Sequence, residues 1–274
     1  MELFGTAGIR GRVDERVTPA MALQVGQAAG RDGDEFVVGH DGRVTSPALA
    51  AAVVSGLESA GTDVVDVGQA PTPALAFASQ GRRGVMVTAS HNPPADNGLK
   101  LFADGREYGD DAEAAVENRV ADGPNPAAWD EWGDATKTAV LPAYRDAVVE
   151  YAGTHGADPG RLTVAVDCGN GMAGLATPQV LRELGADVVA TEANVDGHFP
   201  ARGSKPTPET LVQFREFVAG DADLGIAPDG DADRIVVVDG DGEIVHEDTV
   251  VAMLAEHYTR AATVEDPVVV TTPN

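Results

Sequence analysis

The stretch 36-FVVGHDGRVTSPALAAAVVSGLESAGTDVVDVG-68 decides the architecture. It opens on an apolar, β-branched run, 36-FVVGHD-41, turns at Asp41 and Gly42, continues through 47-PALAAAVVSGLESAG-61 and closes on a second run, 63-DVVDVG-68. Proline at a first helical position presets φ and sacrifices no intrahelical hydrogen bond, so Pro47 predicts a helix start; Gly61 predicts its stop. Short, nearly continuous apolar runs joined by a helix indicate mostly parallel strands covered by helices. The unit recurs faintly: 37-VVGHDGR-43 followed by 61-GTDVVDVG-68 is echoed by 164-VAVDCGNG-171 followed by 185-GADVVAT-191. Each copy is a strand, an Asp-and-Gly turn, a helix and a Gly-x-Asp-Val-Val strand.

Outward from this unit, further strands are expected over 84-GVMVT-88, 162-LTVAVD-167, 187-DVVAT-191, 223-DLGIAPD-229 and 235-IVVVD-239. Helices are expected over 174-GLATPQVLRELGA-186, 207-TPETLVQFREFVAG-220 and 247-EDTVVAMLAEHYTRA-261, and a last strand entering a turn over 267-PVVVTTPN-274. Strands alternating with helices define an α/β protein. The segment 122-DGPNPAAWDEWGD-134, with two prolines and two tryptophans, breaks the alternation and reads as a domain boundary or surface connection.

The chain has 274 residues, enough for one or two domains and part of a third. Its 19 basic and 44 acidic residues leave a net charge of −25, and Lys100, Lys137 and Lys205 are its only lysines. Such a field repels nucleic acid and anionic membranes, so neither is an expected partner. The acidic residues are spread along the chain, which favours a salt-adapted surface from a halophilic source over a cation-binding or partner-binding face. No run approaches the ~20 apolar residues of a membrane span, and 1-MELFGTAGIRGR-12 lacks the basic start and apolar run of a signal peptide. A cytoplasmic location is expected. The lone Cys168 has no partner for an internal disulfide and reads as a small buried residue.

Three segments carry chemistry. In 228-PDGDADR-234, Asp229, Asp231 and Asp233 stand at alternate positions after a strand. Clustered carboxylates repel unless a cation neutralises them, and hard oxygen donors suit Mg²⁺ or Ca²⁺. The EF-hand pattern fails, because its Gly and Glu positions fall here on Arg234 and Gly240; solvated turn carboxylates remain the competing reading. Arg234 beside them suits a phosphate shared with a metal. In 86-MVTASHNPPADNGLK-100, two prolines stiffen a loop that holds Ser90 and His91 at a strand end, and Asn97-Gly98 reads as a turn delivering Lys100. Ser90 is either a turn serine or a reactive one; neighbouring Ser and His rarely form a hydrolase triad, and no G-x-S-x-G elbow is present. A phosphate on Ser90 would offer oxygens to the metal, with Arg10 and Lys100 as cations nearby. Lys100, its pKa lowered by burial or neighbouring cations, would then move a hydroxyl proton. Arg10 lies in 4-FGTAGIRG-11, whose glycines either wrap an anion or permit tight turns.

Together these segments resemble the α-D-phosphohexomutase family, which includes phosphoglucomutase, phosphomannomutase and phosphoglucosamine mutase. The match consists of 4-FGTAGIRG-11, the phosphoserine loop 88-TASHNPPADNGLK-100 and the metal loop 228-PDGDADR-234, with further likeness in 164-VAVDCGNGMAG-174 and 196-DGHFPARGSKPTPE-209. The resemblance implies consecutive α/β/α three-layer domains with mixed, mostly parallel sheets. Domain I would span 1–137, domain II 138–240, and residues 241–274 would start an incomplete domain III. It implies that Ser90 exists as phosphoserine, that Asp229, Asp231 and Asp233 bind Mg²⁺ with a phosphoseryl oxygen, and that Arg10, His91, Lys100 and Arg234 line the site. The implied reaction interconverts hexose 1-phosphate and hexose 6-phosphate through a bound hexose 1,6-bisphosphate. The family's sugar-recognition loop, typically G-E-x-S-G-H, and its fourth-domain phosphate loop do not occur in this sequence. A chain lacking them is expected to hold the transfer centre and little of the sugar grip, unless a second chain supplies the missing domains.

Overall fold

A computed structural model describes residues 3–5, 8–262 and 266–270. A first sheet contains β1 (Ile9–Arg12), β2 (Glu35–His40), β3 (Asp63–Gln69), β4 (Arg83–Val87), β5 (Asp96–Ala103), β6 (Arg106–Glu107) and β7 (Ala135–Lys137). Their order is β1-β5-β4-β2-β3-β7, with β6 on β5. Around it lie α1 (Pro19–Ala29), α2 (Ser46–Ser59), α3 (Thr72–Ala78) and α4 (Asp110–Asp122), and then α5 (Leu141–His155) leads away. The second sheet contains β8 (Thr163–Asp167), β9 (Asp187–Thr191), β10 (Leu224–Pro228), β11 (Ile235–Asp239) and β12 (Ile244–Val245), in the order β12-β11-β10-β8-β9. Its helices are α6 (Thr177–Glu183) and α7 (Val212–Asp221), and α8 (Glu247–Ala261) follows.

The period-2 alternation of each strand explains the layering. From β2, Phe36 and Val38 join Val25 of α1 and Val53 and Leu57 of α2 on one face, while Val37 joins Leu75 of α3 and Met86 and Phe102 on the other. In the second sheet Val164 and Val166 pack with Ala173 and Leu181, and Ala165 faces Leu211, Phe214 and Val218. Burying a Leu, Val or Phe side chain contributes about 1.5–3 kcal/mol, so these sandwiches hold most of the stabilisation. On the α1/α2 face the two helices cross at glycine: a Cβ on Gly56 would lie 2.3 Å from the Leu23 carbonyl oxygen, and one on Gly26 2.5 Å from that of Val53. The α/β class with mixed sheets is as expected. The pairings, however, divide evenly: three parallel and three antiparallel in the first sheet, two and two in the second. Antiparallel pairings enter because β4 to β5 and β10 to β11 are hairpins, which need no crossover helix.

Helix bounds also shift for local reasons. The helix expected from residue 207 starts at Val212, because the Thr207 and Thr210 hydroxyls bond to nearby backbone and hold a turn there. The one expected over 174–186 splits into a 3₁₀ turn, Met172–Leu175, and α6, which restarts at Thr177-Pro178. Helices α1, α3, α4 and α5 were not anticipated; α1 nonetheless carries a Thr18 N-cap and Pro19 at its start. The hairpin strand β12 continues the second sheet past residue 240. Of the last expected strand, residues 267–270 lie in no strand and 271–274 are outside the described residues. Cys168 is buried, as expected, and burial pushes its thiol pKa up to about 12. Among the described residues no helix is long and apolar enough to cross a membrane.

Candidate active site

The Ser90 loop joins β4 to β5, and the triple-Asp loop joins β10 to β11. Both spring from the carboxyl end of a strand in parallel register with its neighbour, where open α/β sheets place ligands. The orders β5-β4-β2-β3 and β11-β10-β8-β9 are the same arrangement, so the two loops are counterparts within the repeat. The sequence echo revealed only its strand-helix-strand portion.

The loops meet. Ser90 is fully buried, with φ at +50°, and its hydroxyl donates to Asp229 Oδ2 at 2.6 Å; His91 Nδ1 lies 3.3 Å from Ser90 Oγ. Gly230 makes the approach possible, since a Cβ there would stand 2.6 Å from the Ser90 carbonyl oxygen. Burial, together with the charges of Asp231 and Asp233, lifts the Asp229 carboxyl to about 7, against the Ser90 hydroxyl and Arg234 backbone N–H that favour its ionised form. Asp231 Oδ2 accepts from the Thr72 hydroxyl at 2.7 Å, and its Oδ1 is buried with no hydrogen-bond partner. One carboxylate oxygen from each of Asp229, Asp231 and Asp233 fits within a 4.8 Å span. Hard donors, mutual repulsion and an orphaned oxygen fit a bound Mg²⁺ better than solvated turn carboxylates.

Lys100 arrives differently from expectation. Asn97 and Gly98 form no turn; they lie inside β5, where the Asn97 amide donates to Ser46 Oγ and Thr45 Oγ1. Gly98 is required there because a Cβ would lie 2.3 Å from the Ile9 carbonyl oxygen and 2.6 Å from that of Thr88. The ammonium is 3% exposed and sits 2.5 Å from Asp233, 3.3 Å from Glu107 and 3.5 Å from Asp231. Burial pulls its pKa down, but the carboxylates of Asp231, Asp233 and Glu107 outweigh burial and the net shift is upward. The expected lowering is therefore corrected: the neighbours are anions, and Lys100 holds its proton.

Next to Ser90, His91 feels several cations. Burial, then the charges of Arg234, Arg10 and Lys205, lowers the His91 pKa, with Asp231 opposing. Arg10 lies in β1; its buried Nε and Nη2 have no hydrogen-bond partner among the described residues, as donors awaiting an anion would. Thr6 and Ala7 of the same segment are outside the described residues. Arg234 approaches Asp233 only to 3.9 Å, and its side chain is 59% exposed, free to meet a ligand. The structure thus brings together every residue singled out from sequence and adds Thr72, Glu107 and Lys205. Thr72 had one available signal, its place just after the carboxyl end of β3.

Comparison with known proteins agrees. Residues 1–126 match the phosphoglucomutase/phosphomannomutase alpha/beta/alpha domain I and residues 142–242 match its domain II. A phosphopentomutase of Thermococcus kodakarensis is 45% identical over 264 residues, covering 94% of this chain and 58% of the relative. A phosphoglucomutase/phosphomannomutase of the same organism is 42% identical over 272 residues, covering 94% and 60%. A solved phosphoglucomutase/phosphomannomutase family protein from Burkholderia thailandensis superposes with a TM-score of 0.85 at 34% identity, covering 94% of this chain and 59% of that one. The chain spans about six tenths of the length of these relatives. Matched over both of these domains, the chain belongs to the phosphoglucomutase/phosphomannomutase family.

Proposed function

We propose that Ser90 carries a phosphoryl group to and from a sugar phosphate, so that a hexose 1-phosphate and a hexose 6-phosphate interconvert through a hexose 1,6-bisphosphate. The observation that carries this reading is the 2.6 Å contact between Ser90 Oγ and Asp229, which sets a hydroxyl against a carboxylate cluster, next to a histidine that feels the charges of Arg234, Arg10 and Lys205. A phosphoserine there has cations for its outer oxygens. In transfer, the bond from Ser90 Oγ to phosphorus breaks as the sugar hydroxyl bonds to phosphorus, and the hydroxyl proton leaves. That proton passes to water, because the sugar attacks from the side of phosphorus opposite Ser90; His91, its pKa lowered and 3.3 Å from Oγ, is placed to take the Ser90 proton when the serine is phosphorylated and to return it when Ser90 leaves, whereas protonated Lys100 supplies positive charge. Mg²⁺ held by Asp229, Asp231 and Asp233 would supply charge neutralisation at the phosphoryl oxygens.

The test incubates the chain with Mg²⁺ and glucose, mannose or glucosamine 1,6-bisphosphate, and reads intact mass and the modified site. Ribose 1,5-bisphosphate is a further arm because a relative 45% identical is named a phosphopentomutase. Gain of one phosphoryl group on Ser90 is expected from at least one hexose donor. Label on another residue, or none from any donor, sinks the proposal; label from the ribose donor alone makes the sugar a pentose.

A further inference from the structure

Two buried arginines, one per sheet, stand outside the group described above. Arg43 follows β2, and its side chain is wholly buried. All five of its N–H donors are used: Nε to Asp41 Oδ2 at 3.0 Å, Nη1 to the carbonyls of Pro93 and Asp96 at 2.6 and 3.0 Å, and Nη2 to those of Ser90 and Asn92 at 2.8 and 2.7 Å. Three of these five acceptors belong to the reactive loop and a fourth, Asp96, is the first residue of β5 after it. Its counter-ion Asp41 also accepts from Thr88 Oγ1, which in turn accepts from the Ser90 backbone N–H. From the connection between β9 and α7, Phe199 lies against the guanidinium, 5.2 Å from ring centre to carbon.

The equivalent strand end of the second sheet repeats the device with an arginine from a different loop. Asp167 ends β8 as Asp41 follows β2, and its Oδ2 accepts from Arg202 Nε at 2.7 Å. Arg202 Nη2 donates to the Asp167 carbonyl and, at 2.8 Å, to that of Pro228, the residue before the metal loop. A planar guanidinium satisfies several fixed acceptors at once, whereas an ammonium offers three donors on a point charge and leaves buried carbonyls unpaired.

We propose that Arg43 and Arg202 are positioning residues for phosphoryl transfer: Arg43 fixes the serine loop in its left-handed turn and Arg202 fixes the base of the metal loop. The assignment rests on the proposed function for its meaning, but its test needs no phosphoryl donor. In the parent chain the amides of Ser90, Asn92 and Asp96 are expected to exchange with deuterium as slowly as those of β2, although they lie in a loop or at the strand end that closes it. In Arg43→Lys these amides accelerate at least tenfold while those of β2 and α2 stay protected. In Arg202→Lys the acceleration falls instead on Asp229 and Ala232, and Mn²⁺ affinity weakens roughly tenfold, the lower end for partners that orient metal ligands. A folded Arg43→Lys with unchanged exchange over 90–96 overturns the assignment of Arg43, as do unprotected loop rates in the parent should the variant fail to fold. Unchanged Mn²⁺ affinity in a folded Arg202→Lys overturns that of Arg202. Failure of Ser90 to accept a phosphoryl group from any donor counts against the proposed function alone and leaves this pattern standing.

Discussion

Ser90→Ala is expected to abolish phosphoryl uptake, by a factor on the order of 10⁴ to 10⁶, the scale on which loss of a covalent nucleophile acts. Ser90 Oγ is the hydroxyl directed at the carboxylate cluster from the loop; Thr72, the other hydroxyl touching it, is committed to Asp231 Oδ2. Thr88 and Ser46 spend theirs on Asp41, and Ser204 donates to the Asn92 carbonyl. None can substitute. Stability should hardly change through the backbone, because alanine meets the same cost as serine at φ +50°. Asp229 loses one donor, a cost of about 1 kcal/mol. Radiolabel transfer and intact mass would reveal the loss, with a thermal midpoint showing that the fold survives. Uptake within tenfold of the parent would remove Ser90 from the reaction.

Lys100→Met should be the costliest single change to the fold: about 3–5 kcal/mol in urea unfolding with chelator present, because removing one member of a buried ionic group leaves the others uncompensated. The partners decide the size. Asp231 is fully buried and the Asp233 side chain is 21% exposed, whereas Glu107 is 48% exposed and contributes little through solvent. Adding Mg²⁺ should return part of the loss in the variant, since a divalent cation offsets the same carboxylates, and should raise the parent's midpoint by less. A loss below about 1 kcal/mol, or no difference in the response to Mg²⁺, would mean that the ammonium and the aspartates are not coupled.

What could be read from the chain followed the range of the physics. Ser90, His91 and the three aspartates are marked by neighbours within a few residues, and strand-end position plus local chemistry sufficed to find them. Arg43 carries no such local mark, because the carbonyls it holds lie 47 to 53 residues away. Thr72 meets Asp231 across 159 positions. The direction of the Lys100 pKa shift is not legible in the chain, because burial follows from one sequence but the sign of the surrounding charge does not. Asn97-Gly98 misled for a related reason: the dipeptide favours turns, yet here each residue meets a strand's packing demand, Asn97 by bonding to Ser46 and Gly98 by admitting two backbones.

The hydroxyl-to-carboxylate contact also bears on how the molecule comes into being. Ser90 and Asp229 are separated by 139 positions and Lys100 and Asp233 by 133, while the widest strand pairing within a sheet, Ile9 with Leu99, spans about 90. Contacts that close long loops form late, and units of this kind fold separately before they dock. Chemistry is therefore the last property this chain acquires on folding. In stopped-flow refolding, Mn²⁺ capture should lag behind the far-ultraviolet dichroism of both sheets, and a lag that vanished would mean that the halves assemble as one.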